Sequence, residues 1–342
     1  MHIQNGAVTF EPHDMWFVKR VGFEAACEMV LDYASQNKLP FLYDTHQLAH
    51  FLHIPRRYLF RWFRDMSSCY TPIALTKRSG GVRHLHVPVD PLMCAQRRIL
   101  QDIVSRLPVS PYATAYVKGK RLTDNAAPHC GHRYLLKLDI TDFFSSIRFD
   151  QVYSAAFNTT RFPKLIGVML TALCCYEDVL PQGAPTSPAL SNVVMRRFDD
   201  RIGEWCKKRG IAYTRYCDDM TFSSDKPLFA VYQKVRGMLA EMGLSLNEKK
   251  TRFVTHASRQ SVTGLTVNER VAVSSDYKRD LRQQVHYALK FGYADALAKR
   301  GDTTFENGDH YAHHLIGRVR YVLQIEPHNT WFRDALPRLL WK

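Results

Sequence analysis

Nothing in this sequence is long and apolar enough to cross a membrane as a helix. The longest apolar run, LIGVMLTALCCY from Leu165, is about 12 residues, short of the roughly 20 that a helical span needs. The N-terminal stretch MHIQNGAVTFEPHD has neither the basic nor the apolar region of a signal peptide, so a cytoplasmic location without a membrane partner is expected. The eight cysteines, at positions 27, 69, 94, 130, 174, 175, 206 and 217, form no CxxC pair and no zinc-type spacing. That argues against a disulfide framework and for small apolar thiols in a reducing compartment. His46, His50 and His53 fall at helical spacing, but no cysteine lies nearby and Asp44 reads as a helix cap, so they are assigned to a polar helix face. No repeat and no low-complexity linker divides the chain, and domain boundaries must be read from changes of pattern.

Acidic residues are also in the minority. Against 47 Lys and Arg stand 32 Asp and Glu, a net charge of +15, while aromatic residues stay at 12%. Such an excess points to a polyanionic partner, with nucleic acid first and an anionic membrane a weaker candidate. A basic surface with no such partner is the alternative. At 342 residues the chain can bury a full core, as one large domain or as two or three coupled subdomains.

Three regions follow from the patterning. Residues 1–69 read as helical: FEAACEMVLDYASQ carries apolar side chains at helical spacing, and YDTHQLAHFLHIPRRYLFRWFRDM reads as a capped helix, a turn at Pro55 and a second, basic helix. This pair is either a small helix-turn-helix or a cap on the next domain. From Tyr70 to residue 255 strands and helices mix. YTPIALTKRSGGVRHLHVP reads as a hairpin turning at Ser79, Gly80 and Gly81, and the strand YLLKLDI is followed by the turn TDFFSS. Ser187 reads as an N-cap before a helix whose Leu190, Val194, Phe198 and Ile202 form one apolar stripe. Residues 256–342 read as a short strand pair and two basic helices. This order predicts an α+β fold with a largely antiparallel sheet.

Two sites set carboxylates where apolar strands end. Asp139 closes the run LLKLD, and Asp218 and Asp219 sit together on the turn of YTRYCDDMTFSS. A lone Asp at a strand end is ordinarily a turn former. Two such sites on neighbouring strands would instead form a cluster that repels itself unless cations enter it. Hard oxygen donors suit Mg²⁺, and two such ions about 4 Å apart serve in-line displacement at phosphorus. Adjacent strand residues face opposite ways, so Asp139 and Asp218 are expected as main ligands and Asp219 as support.

The segments LKLDITDFFSSI, LPQGAPTSPALSN and YTRYCDDMTFS, in that order, resemble the palm of a reverse transcriptase, with Cys217 replacing the common alanine of the last motif. DNAAPH (124–129) and SVTGLTVN (261–268) are similar to the Asn-Ala-x-x-His and Val-Thr-Gly signatures of retron reverse transcriptases. The resemblance runs from about residue 70 to 325 and implies a right-hand polymerase with fingers and palm over 70–255 and a helical thumb over 256–342. It implies Asp139, Asp218 and Asp219 as catalytic carboxylates holding two Mg²⁺ ions, with the Ile140 backbone near the second. Phe144 would block a ribose 2′-hydroxyl, Gln182 and Gly183 would lie along the incoming deoxynucleoside triphosphate and template, and Lys77 and Arg83 would hold the triphosphate. For Phe144 a core role beside Phe143, and for Lys77 and Arg83 a solvated hairpin tip, remain open.

The resemblance further implies a cognate structured noncoding RNA as partner, template and 2′-hydroxyl primer, a branched RNA–DNA product (msDNA), and an effector protein in antiviral defence. Asn125, His129, Val262, Thr263 and Gly264 would then face the RNA, or else cap and brace loops. Lys278, Arg279, Arg282, Arg318 and Arg320 would grip it by its phosphates from the thumb, or else form a solvated basic face. No ribonuclease H, maturase or endonuclease pattern follows the thumb region. A diversity-generating or CRISPR-associated reverse transcriptase, and a non-catalytic RNA-binding scaffold, are the competing readings.

Overall fold

The protein is described by a computed structural model covering residues 2–4, 7–36, 38–76, 80–300 and 304–341. Strands β1 (His2–Gln4) and β2 (Ala7–Thr9) form a small hairpin ahead of the helices Met15–Val21 and Phe23–Gln36. Helices Thr45–Phe51 and Arg56–Arg64 follow. Asp44 caps the first of them, accepting from the backbone N–H groups of His46 at 2.8 Å and Gln47 at 3.0 Å. Leu48, Leu59 and Trp62 of this pair enter the same core as the central sheet, so packing is continuous across residues 69 and 70.

β3 (Tyr70–Thr76) and β4 (Val82–Pro88) build the hairpin read from the sequence. Most of its residues are exposed, and Ile73, Leu75 and Val82 remain on the surface near its tip. Residues 77–79, including Lys77, lie outside the described residues.

The central sheet joins β5 (Tyr134–Asp139), β6 (Ala212–Tyr216), β7 (Asp219–Ser224) and β8 (Arg252–Thr255) in the order β6-β7-β5-β8, all antiparallel. The two-residue period of a strand sorts its side chains. Leu136 and Leu138 of β5, Tyr213 of β6 and Met220 and Phe222 of β7 turn into the main core, against the long helix Ser187–Lys207. That helix starts at Ser187 with Thr186 before it, and Leu190, Val194, Phe198 and Ile202 are all buried as the stripe requires. The opposite parity places Leu135, Lys137 and Asp139 of β5 and Asp219, Thr221 and Ser223 of β7 on the other face.

The C-terminal region holds more structure than its sequence suggests. Short strands β9 (Ser261–Val262), β10 (Leu265–Thr266) and β11 (Ala272–Val273) form one small sheet. Four helices follow where two were expected: Ser275–Phe291, Tyr293–Arg300, Gly308–Ile325 and Thr330–Leu340. Gly292, at φ 89°, breaks the first from the second, and the side chains of Asn307 and Asn329 cap the last two. Their apolar faces form a second core with Val262, Leu265, Leu135 and Ala126, which ties this region to the non-core face of the sheet.

The helices Phe149–Ala156 and Lys164–Cys174 pack so closely that a Cβ at Gly167 would overlap the carbonyl oxygen of Phe157 and come within 3.0 Å of the Tyr153 ring. Gly167→Ala is therefore expected to destabilise the protein by about 1–3 kcal/mol despite alanine's higher helix propensity. Urea unfolding of the variant beside the parent checks this.

Candidate active site

Register brings the acidic residues together. Asp139, the last residue of β5, pairs directly with Asp219, the first of β7, and Tyr216 of β6 pairs with Asp219 from the other side. Cys217 and Asp218 form the two-residue connection between β6 and β7. Cys217 has φ 61°, the left-handed value that the first central position of a type II′ hairpin turn demands and glycine usually supplies. Asp218 thus stands on the turn beside Asp219, and its carbonyl accepts from the Ile140 N–H at 3.2 Å. The Ile140 side chain itself is buried in the core.

The strained turn is fastened from below. Arg215 and Asp199, both with fully buried side chains, meet through Nη2–Oδ2 at 2.6 Å and Nε–Oδ1 at 2.9 Å. Tyr213 donates its hydroxyl to the same carboxylate at 2.7 Å, and Arg215 Nη1 donates to the Cys217 carbonyl at 2.9 Å. Burial alone would lower the Arg215 pKa, but the charge and hydrogen bonds of Asp199 more than offset it and the guanidinium is held charged. Burial and the Asp218 charge push the Cys217 thiol up to about 12, so it serves as a small neutral turn residue.

Crowding shows in the acids. Loss of hydration, then the charges of Asp218 and Asp139, raise the Asp219 carboxyl above the ordinary range, with Lys137 and Lys250 acting against them. Lys250, which the sequence reading passed over, places its Nζ 2.7 Å from Asp139 Oδ2. It is positioned because Asn247 N–H donates to the Asp139 carbonyl at 2.8 Å, docking the NEKK turn onto the end of β5.

Three carboxylates at one end of the sheet, with Asp219 raised by burial and then by its neighbours, are the hard donor set that suits a divalent cation. Among the described residues, however, no group of three or more His, Cys, Asp or Glu side chains converges on a single point, and Lys250 holds Asp139.

Phe144 is half-buried on the short helix Phe143–Ser146, its ring 5.5 Å from that of Phe143, which is in the core. Arg83 is exposed on β4. The Gln182 carbonyl accepts from the His86 N–H of β4 at 2.7 Å. Gly183 has φ 119°, and a Cβ there would lie 2.9 Å from the His86 carbonyl oxygen, so its lack of a side chain admits the backbone of the hairpin.

Residues 75–268 match the family model described as "Reverse transcriptase (RNA-dependent DNA polymerase)". The Retron Mx65 reverse transcriptase of Myxococcus xanthus is 36% identical over 293 residues, covering 80% of this chain and 65% of that protein. The chain belongs to the retron-type reverse transcriptases. The Retron Ec86 reverse transcriptase of Escherichia coli is 33% identical over 209 residues, 60% of this chain and 65% of that protein. The Retron Ec83 reverse transcriptase of the same species is 30% identical over 274 residues, with 75% and 83% covered. The match thus spans about two thirds of the length of the first two relatives. Among solved structures, the telomerase of Candida albicans in complex with a fragment of telomeric RNA aligns at a TM-score of 0.43 and 11% identity, over 80% of this chain and 56% of that one.

Several residues expected to face RNA are interior in this reverse transcriptase. Asn125, His129 and Val262 are buried, and the bracing alternative is the one the fold adopts for them. Asn125 Oδ1 accepts from Thr114 Oγ1 at 2.9 Å, and its Nδ2 reaches Thr263 Oγ1 at 3.4 Å. Thr214 Oγ1 donates to the Asn125 carbonyl, so it accepts from His129 Nε2–H at 2.8 Å, leaving Nδ1 to accept from Ser223 Oγ at 2.7 Å. These bonds clamp the Asn-Ala-x-x-His segment onto β6 and β7. Thr263 and Gly264, both at positive φ, form the tight turn between β9 and β10, and Gly264 is exposed.

In the C-terminal helices, Lys278 Nζ is committed to Glu326 at 2.8 and 2.9 Å. Arg318 donates to Tyr277, Gln284 and Asp280 and lies over the Tyr277 ring. Both are half-buried cross-links between helices and not free phosphate ligands. Arg279, Arg282 and Arg320 are exposed.

Two outcomes are expected here. Lys250→Ala leaves the three carboxylates with less neutralisation, so the variant should melt lower in EDTA and gain more than the parent from added Mg²⁺, read by thermal unfolding. His129, held near pKa 3 by burial, takes a proton at about 6.5 once unfolded, so acid favours the unfolded chain. Its contribution is intact above pH 6.5, is lost as pH falls towards 3, and amounts to about 2 kcal/mol between pH 6.5 and 5. In His129→Gln the stability difference between those two pH values should shrink by about that amount.

Proposed function

We propose that the chain is the RNA-directed DNA polymerase of a retron. The observation that carries this reading is the pairing of Asp139 with Asp219, with Asp218 on the adjoining turn, inside a segment that belongs to the reverse transcriptase family. Nothing in mere RNA binding requires three negative charges at one edge of a protein with a net charge of +15.

In the reaction a primer hydroxyl attacks the α-phosphorus of a deoxynucleoside triphosphate, forming a phosphodiester and releasing pyrophosphate. Asp139, Asp218 and Asp219, with the Ile140 backbone beside them, would hold two Mg²⁺ ions, which supply activation of the attacking hydroxyl and neutralisation of the departing pyrophosphate. The protein's own groups position the substrates. Arg83 meets the triphosphate from the fingers hairpin through bidentate phosphate contacts, and Lys77 adds a second positive charge. The Phe144 ring excludes a ribose 2′-hydroxyl by its bulk. Gln182 supplies the polar floor, and Gly183 lets the hairpin close over it. Lys250, beside Asp139, balances the acids while the site is empty of substrate.

Retron-type membership also supports a cognate structured RNA that serves as both template and primer. Synthesis then begins from a 2′-hydroxyl of that RNA and yields branched msDNA, in a system that pairs the enzyme with an antiviral effector. Exposed Arg279, Arg282 and Arg320 form the thumb's basic surface for the duplex.

Asp218→Ala should abolish DNA synthesis while RNA affinity stays within about twofold of the parent, since the basic surface is unchanged. Expression with the flanking genomic segment, followed by extraction of nucleic acid, reads the synthesis, and RNA titration of the purified proteins reads the affinity: a short DNA whose mobility changes on debranching is expected from the parent and not from the variant. Retained synthesis in the variant would remove the carboxylate assignment. Phe144→Ala should incorporate ribonucleotides in primer extension, and unaltered sugar discrimination would take Phe144 out of that role.

A further inference from the structure

The N-terminal helices carry a surface that the polymerase reaction leaves unused. Trp16, 44% exposed on helix Met15–Val21, lies against His46 with ring centroids 4.9 Å apart and the planes tilted by 34°. The Arg20 guanidinium lies 5.4 Å from the centre of the Trp16 ring. On the far side, His46 Nε2 is 3.3 Å from Arg56 Nη1, and the Arg56 guanidinium lies 5.1 Å from the centre of Phe60, itself 47% exposed. Arg56 is fixed in turn by its Nε donating to Thr45 Oγ1 at 2.9 Å. Five flat groups from three helices, two guanidinium planes and three rings in the order Arg20, Trp16, His46, Arg56 and Phe60, thus follow one another along one surface.

The same helix, Arg56–Arg64, adds charge beside this ladder. At about 100° per residue, Arg57, Arg61 and Arg64 share with Arg56 and Phe60 the arc opposite buried Leu59 and Trp62. All four arginines are exposed, and the helix contains no acidic residue. A helix that lies on lipid would turn its apolar side outward, whereas here the apolar side is in the core. An acidic peptide would satisfy the arginines but leave the exposed rings without a role. Bases of a single strand answer both features, since they stack on aromatic and guanidinium planes while their phosphates pair with arginines.

We infer that the ladder formed by Trp16, His46, Arg56 and Phe60, with Arg57, Arg61 and Arg64 beside it, binds a single-stranded segment of RNA. This deepens the polymerase reading by naming a surface for its RNA, and it adjoins the fingers because the helix leads through Ser67–Cys69 into β3.

The test is fluorescence anisotropy of labelled oligouridylate across a salt series, with primer extension on a pre-annealed duplex as the reading of the palm. The Arg57→Gln, Arg61→Gln, Arg64→Gln triple variant should bind at least tenfold more weakly, and its slope of log affinity against log salt should fall by about 2, at roughly 0.7 per phosphate contact. Trp16→Ala with Phe60→Ala should lose about tenfold with an unchanged slope. Extension should remain at the parent's level in both. The three arginines are exposed, so the triple variant keeps the core intact even if the ring variant unfolds. Parental affinity and slope in the triple variant would overturn the inference. So would parental protein held on phosphatidylserine vesicles that excess oligouridylate fails to displace. A parent that binds oligouridylate through the ladder but extends no primer would sink the polymerase reading and leave this one standing.

Discussion

The site depends on a buried ion pair. Moving Arg215 and Asp199 out of water carries a desolvation cost of several kcal/mol per ion, which their attraction offsets only with good geometry and further hydrogen bonds. Both conditions hold: the carboxylate accepts from Arg215 and Tyr213, and the remaining guanidinium nitrogen is spent on the Cys217 carbonyl. The pair therefore joins helix Ser187–Lys207 to a turn that a non-glycine residue enters at positive φ, a conformation that costs on the order of 1–3 kcal/mol unless its surroundings impose it. The parity of β6 explains the choice of residue. Arg215 shares the core face with Tyr213, so the side chain nearest the turn on that face has to supply polar anchorage from within the core.

Charge is distributed by the same parity. The face of the sheet turned away from the main core carries Lys137, Asp139 and Asp219, and Lys250 arrives from the loop docked at the end of β5. Three carboxylates thus gather at one end of the central sheet in a chain whose net charge is +15. A polyanion drawn in by long-range attraction meets concentrated repulsion there, where a divalent cation could enter between the two.

Much of this was legible in the sequence because it rests on short-range rules. The apolar run LLKLD announced a strand ending at Asp139, the acidic pair announced a turn that the fold sets one residue earlier, at Cys217–Asp218, with Asp219 opening β7, and Asp44 announced a helix start. What escaped depends on contacts between distant segments. Lys250 is one of the two lysines of NEKK, and only the hydrogen bond from Asn247 to the end of β5 selects it. Asn125 and His129 read equally well as surface or as brace until Thr214 and Ser223 are brought beside them by the pairing of β6 with β7. Lys278 and Arg318 look like free cations on a helical wheel, and their partners Glu326 and Asp280 come from other turns and helices. The two extra helices were hidden for a local reason: a single glycine and two asparagines punctuate a stretch whose apolar period runs on with little change.

The contact between Gly183 and β4 has a mechanical consequence. The hairpin β3–β4 stands largely exposed, with few side-chain contacts near its tip, yet its base is tied by the His86 N–H to the carbonyl of Gln182 and rests on the bare Cα of Gly183. A swing of the hairpin base is thereby passed to residues 182 and 183 through the main chain, beside the His86 ring stacked on Tyr176. The same segment runs on into helix Ser187–Lys207, which carries Asp199 at its middle, so the base of the hairpin and the carboxylate turn are joined through one helix.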